Sequence, residues 1–213
     1  MRVLAFAASF REGSLNRRLI EVAAGVAAEL PEVEVHLADF RDFEMPLYDG
    51  DVDHVRGLPP GGQALKAQLE RCDALMIAVP EYNYSIPGTL KNAIDWVSRA
   101  RPMPWRGKSI YLMSASPSAM GGIRGLWQTR IPLEGCGALV FPDMFALPHA
   151  NAAFDERGRL TDSRSEERLR TEVVGFLRLV ESFGGLWTDP RAATVRKEID
   201  EALEDQTVLQ PPQ

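Results

Sequence analysis

Three stretches of the chain carry residue types that could bind and orient a ligand: "SFREGSLN" (Ser9–Asn16), "PEYNYSIPG" (Pro80–Gly88) and "SASPSAMGG" (Ser114–Gly122). The first sets the hydroxyls of Ser9 and Ser14, the amide of Asn16 and the guanidinium of Arg11 just ahead of a predicted helix. Hydroxyls, a cation and the free N–H groups of a helix N-terminus together make an anion site. A Ser14 that only caps the helix is the competing reading. In the second stretch Pro80 and Pro87 stiffen the backbone, Pro87 suits the first turn of a helix, and Gly88 permits close approach of a ligand or a second backbone. Tyr82, Asn83 and Tyr84 present flat faces and hydrogen-bonding edges, which suit a planar heteroaromatic ring better than a sugar or a metal. The third stretch adds small donors around Ser114, Ser116 and Gly121.

Other chemistries find little support. The first loop lacks the GxGxxG dinucleotide fingerprint. "RGKS" at 106–109 imitates the end of a P-loop, but the first glycine is replaced by Pro102 and the segment precedes a strand. No GxSxG elbow is present. Cys72 and Cys136 stand alone and read as buried free thiols, and His36, His54 and His149 form no cluster and receive no catalytic role, although His149 lies in a late loop that could reach the site.

The elements that must carry these loops can be read from apolar periodicity. Apolar runs at 2–8, 33–38, 74–79, 109–115 and 138–141 read as strands. Helical spacing follows at 15–26, 63–71, 90–97, 123–134 and 169–183, the last stopping at Gly184-Gly185, while 39–62 and 142–151 read as loops. Strands and helices alternate five times, which implies a parallel sheet with helices on both faces. In such a sheet ligands bind at the carboxyl ends of the strands where strand order reverses. Those ends carry the three loops.

The chain of 213 residues, 45% hydrophobic and 25% charged with a net charge of -6, suits one domain over 1–185 followed by a polar extension over 186–213. The extension holds one weak amphipathic set, Val195, Ile199 and Leu203, and reads as an appendage or a subunit contact. No basic patch suggests nucleic acid and no apolar run reaches a membrane span, and the two free thiols suit a reducing cytoplasm, where the protein is expected. Trp96 is read equally well as core or as a dimer surface on its helix.

Taken together, "AASFREGSLNRRL", "PEYNYSIPGTLKNAIDW" and "SASPSAMGGIRG" resemble the NADPH-dependent FMN reductase family over roughly residues 2–183. The resemblance implies a flavodoxin-like α/β fold, a five-stranded parallel sheet of order 2-1-3-4-5 with helices on both faces. It implies bound FMN, NADPH or NADH as co-substrate, and a small-molecule electron acceptor such as a quinone, azo compound, free flavin or metal ion, reduced in a ping-pong scheme. Self-association as a dimer or tetramer is usual. By motif position Ser9, Arg11, Ser14, Leu15 and Asn16 would hold the phosphate. Pro80, Glu81, Tyr82, Asn83 and Tyr84 would hold the ring and ribityl chain, and Ser114, Ser116 and Gly121 would close the site. Ala8 stands where the family often has glycine before Ser9. A flavodoxin-type electron carrier is the alternative. A receiver domain is excluded, because Ala8-Ser9 and Val79-Pro80 stand where its acids belong.

Overall fold

Continuous apolar runs become central strands because helices cover a parallel sheet on both sides. In the computed structural model, which describes residues 1–187, β1 (Arg2–Ala7), β3 (Ala74–Ala78) and β4 (Ser109–Ala115) are buried almost throughout. β2 (Glu34–Leu37) flanks β1. The sheet order is β2-β1-β3-β4-β5, all parallel, as expected. Val3 to Ala7 pair with Ala74 to Ala78, and these with Ser109 to Met113, so the carboxyl ends of β1, β3 and β4 come out side by side. Strand order reverses between β1 and β3.

The far edge adds a sixth strand beside the expected five. β5 is only Leu139–Val140, against Ser109 and Ile110. The chain then leaves the sheet and returns as β6 (Phe145–Leu147), against Met113 to Ala115. Pro142 lacks the N–H a ladder needs, and three residues are too few to show a period.

Six α-helices are described: α1 (Leu15–Ala28), α2 (Gly50–Arg56), α3 (Pro60–Arg71), α4 (Gly88–Val97), α5 (Ile123–Gly135) and α6 (Ser163–Trp187). α2 and a 3-10 turn at Phe40–Phe43 fall where only loop was expected. α2 buries no residue, so no apolar stripe announces it; Asp49 caps it by accepting from the N–H of Asp51 and Val52. α6 runs past Gly184-Gly185, because a helical glycine costs only about 1 kcal/mol relative to alanine. The expected boundary at 185 falls inside this helix; the compact unit that carries the sheet is Met1–Leu177. Most of the expected extension, including Val195, Ile199 and Leu203, lies outside the described residues.

On one face of the sheet Leu4, Phe6, Leu75, Ile77 and Leu112 join Leu65 and Leu69 of α3, Leu90 and Ile94 of α4 and Leu126 of α5 in one core. Trp96 belongs to the buried interior. It is fully buried, its Nε1 donates to the Pro46 carbonyl at 2.7 Å, and it meets Tyr48 edge-on at 5.0 Å. On the other face α1 lies across the sheet, and Arg170 of α6 pairs with Glu29 at the end of α1. Among the described residues no helix is long and apolar enough to cross a membrane.

Candidate functional site

The β1–α1 loop is shaped by its own backbone. The Ser9 N–H donates to the Ala7 carbonyl at 2.8 Å, the Arg11 N–H donates to Ser9 Oγ at 3.3 Å, and Gly13 takes a left-handed φ of 66°. Ser14 does cap α1: its Oγ accepts from the Arg17 N–H at 3.4 Å. The cap leaves the N–H groups of the first turn, Leu15 and Asn16 included, without intrahelical acceptors. No acidic residue occupies that turn. Ser9 and Ser14 are buried, whereas Arg11 is exposed, and no described residue pairs with its guanidinium, neighbouring Glu12 included.

Asn16 is also tied to β4. It is buried, its Nδ2 donates to the Ala115 carbonyl at 3.0 Å, and its Oδ1 accepts from the Ala115 N–H at 2.9 Å. Both ends of the amide are committed to the end of β4, where β3 has already left the sheet. The second N–H of its Nδ2 and its backbone N–H have no partner among the described residues and remain for an anion.

The β3–α4 loop holds a tight turn. Tyr82 and Ser85 exchange both backbone hydrogen bonds, at 3.1 and 3.0 Å, and Asn83 and Tyr84 between them have φ of 49° and 65°. Two left-handed central residues make a type I′ turn, which asparagine tolerates and tyrosine does not favour. Tyr82 and Tyr84 are 50% and 67% exposed. The carboxylate of Glu81 is instead enclosed at 8% exposure, paired with Arg124 and with the Gly125 N–H, so it is not free for a ribityl chain. Pro87 occupies the N-cap of α4 and not its first turn, and beside Gly88 an added Cβ would meet nothing within 4 Å.

The β4–α5 loop completes the edge. Ser114 lies beneath it, fully buried, with no hydrogen-bond partner for its Oγ, and an added Cβ on Gly122 would collide with that oxygen. Gly121, with φ of 61°, lets the loop approach the backbone of Ala146 and Leu147, where an added Cβ would come within 2.9 Å. Gly121 therefore serves packing against β6. Ser116 is half-buried, and its Oγ accepts from the Ser118 N–H at 3.2 Å. His149, left-handed and exposed, donates its N–H to the Ser118 carbonyl at 3.3 Å, and the Ala150 N–H donates to Ser116 at 3.0 Å. The late loop thus reaches the site's rim through its backbone. Arg124, Gly125 and Gly122 were not singled out from sequence; their spacing inside an ordinary helix start carries no signal.

Buried hydroxyls, an arginine without a partner among the described residues and free helix N–H groups fit a phosphate. A rigid turn bearing two exposed rings, one strand away, fits a planar heterocycle. Placed on either side of the switch point of a doubly wound sheet, this donor set defines a flavodoxin-like flavoprotein. The model of the family described as NADPH-dependent FMN reductase matches residues 1–152, and the chain belongs to that family of FMN-dependent oxidoreductases. An NAD(P)H-dependent FMN reductase of Pseudomonas aeruginosa is 36% identical over 180 residues, covering 81% of this chain and 91% of that protein. A quinone reductase of Escherichia coli is 33% identical over 178 residues, covering 83% and 93%. The solved structure of FerB, a flavoenzyme NAD(P)H:(acceptor) oxidoreductase from Paracoccus denitrificans, superposes with a TM-score of 0.73 at 29% identity, covering 85% of this chain and 97% of that one.

Proposed function

We propose that this oxidoreductase draws electrons from NADPH or NADH and passes them to small planar acceptors, quinones first, with azo compounds, free flavin and metal ions as further candidates. The observation that carries the reading is the pairing of an unpartnered Arg11 beside buried Ser9 and Ser14 with the rigid, half-exposed Tyr82–Ser85 turn one strand away. Relatives named quinone reductase support the acceptor class.

In this reading Arg11, Ser9, Ser14 and the N–H groups of Leu15 and Asn16 hold the phosphate dianion. Backbone groups of Pro80 to Tyr84 hold a ring edge, and Ser116 closes the far side. Bound FMN supplies the hydride-accepting and hydride-donating chemistry. The chain's own part is to fix position and keep one face open. Tyr82, Tyr84 and Met120, each about half exposed or more, supply an apolar rim for a planar acceptor. No side chain is assigned a proton-transfer role.

Because both substrates would use the same open face, one product must leave before the second substrate enters. Initial rates measured against NADPH at several quinone concentrations are expected to give parallel double-reciprocal lines. Intersecting lines would contradict the shared face.

Self-association is part of the proposal, on a different surface from the one expected. Leu90, Ile94 and Trp96 of α4 are buried and unavailable. α5 instead exposes Trp127 and Ile131, 52% and 65%, one turn apart. The arginines of that helix are already neutralised, Arg124 by Glu81 and Arg130 by Glu134. A face without unpaired charge can meet its own copy across a two-fold axis without repulsion. The two free thiols support a reducing, cytoplasmic setting.

A further inference from the structure

Family position would have Glu81 touch the cofactor, yet its carboxylate is already occupied. One oxygen accepts from Arg124 Nε at 3.0 Å and Nη2 at 2.6 Å, and the other accepts from the Gly125 N–H at 3.1 Å. Two N–H groups of one guanidinium thus converge on a single carboxylate oxygen, and such charge-assisted bonds are stronger than neutral ones. It sits under cover, with the Glu81 side chain 8% exposed and that of Arg124 33%. The same guanidinium lies over the Tyr84 ring, 4.1 Å from its centroid. Tyr84 is the residue of the turn least suited to its left-handed backbone.

The start of α5 is cut to fit this contact. A Cβ built on Gly125 would lie 3.1 Å from both Cα and Cβ of Glu81 and 3.3 Å from the Ser85 carbonyl. The helix therefore presses directly on both ends of the turn. Its N-terminus also closes the β4–α5 loop, so one acid and one arginine join two of the three site loops.

We propose that Glu81 and Arg124 form a single brace that sets the Tyr82–Ser85 turn, and that both are positioning residues which do not contact the cofactor. The proposal rests on the reading that this turn receives the FMN ring, and it assigns ring positioning to a pair of side chains outside the contact surface. Removing either partner opens the same brace, so the two losses should not add.

The test uses Glu81→Gln, Arg124→Gln, the double variant and the conservative Arg124→Lys in the full chain. In protein stripped of flavin, hydrogen exchange at the Tyr82 and Ser85 amides reads the turn without any ligand. Both single variants are expected to speed that exchange by about tenfold, the scale of one charge-assisted hydrogen bond, with no further gain in the double variant. Unchanged exchange in the single variants would overturn the brace. In FMN titrations each single variant should raise the dissociation constant by about tenfold and alter the visible circular dichroism of bound FMN in the same way, the double variant matching them. Arg124→Lys, which keeps the charge but not the planar pair of donors, should fall between wild type and Arg124→Gln. Weaker binding in Glu81→Gln alone, with Arg124→Gln unaffected, would show a direct carboxylate contact and overturn the proposal, as would a multiplicative loss in the double variant. Wild-type protein that binds no FMN would refute the reading of the site, and the exchange data would still decide the brace.

Discussion

In the proposed phosphate site, Arg11 is the residue on which binding should most depend. Its guanidinium is exposed with no described partner, and it stands beside two buried hydroxyls. Arg11→Ala should weaken FMN binding by about 1.5–3 kcal/mol, the range for a charge-assisted hydrogen bond, and the loss should shrink at high salt. Unchanged affinity in a flavin titration would leave Ser14 as a helix cap and nothing more. Cys72 makes a separate test of burial. Loss of solvent pushes its thiol from an ordinary 9.0 up to about 11, with Asp73 adding to the shift and Lys108 opposing it. A raised value in the folded state means the unfolded chain ionises first as pH rises. The contribution is therefore complete below pH 9 and is lost progressively between pH 9 and about 11, by about 2–3 kcal/mol in all. Urea unfolding should show this alkaline loss in wild type and a shallower one in Cys72→Ala; identical slopes would contradict it. At this scale residue types were legible in sequence and their partners were not. Asn16 was legible as a polar residue of the first loop, but its tie to Ala115, 99 positions on, was not. Glu81 and Ser114 likewise belong to the right loops but face inward, because side-chain direction is decided by the elements that close over them.

Among the elements, the Tyr82–Ser85 turn is the one whose geometry the site needs. Asn83 holds a φ of 49°, which asparagine adopts readily and a bulky side chain does not. Asn83→Leu should cost about 1–2 kcal/mol of stability, measured by urea unfolding, and should impair turnover with NADPH and a quinone by more than that loss of folded protein explains. Wild-type turnover in this variant would mean the turn has no positioning role. The prolines on either side were visible in the sequence, but the type I′ turn was not, since Asn-Tyr lacks the glycine that usually announces it. The same limit applied elsewhere. Long apolar runs identified β1, β3 and β4, because full burial leaves an uninterrupted signal. β6, at three residues, and α2, with no buried residue, left no period to read.

For the whole molecule, the proposed planar site lies where the order of the parallel sheet reverses, at β1 and β3. The exposed Trp127 and Ile131 of α5 lie on the helix that carries Arg124 of the proposed brace, so the proposed assembly surface and the proposed brace share one element. Light scattering of the flavin-loaded protein should return a dimer or a dimer of dimers, and Trp127→Lys should shift it toward monomer; a wild-type monomer at micromolar concentration would contradict the proposed surface. The parallel sheet was legible at this scale because alternation of strand and helix permits few arrangements, and its order came with the family resemblance, whereas the proposed assembly surface was not legible, since exposure of Trp127 and burial of Trp96 look alike in sequence. The central claim is that the open face serves electron transfer from a nicotinamide to a small acceptor. It is tested most directly by the visible spectrum of the purified, flavin-loaded protein under anaerobic conditions, first with NADPH or NADH and then with a quinone. The account predicts that the flavin bands bleach on adding the nicotinamide and return on adding the quinone, in repeated cycles. Bands that persist with both nicotinamides but bleach with a chemical reductant would contradict it and would identify a carrier of electrons in place of a reductase.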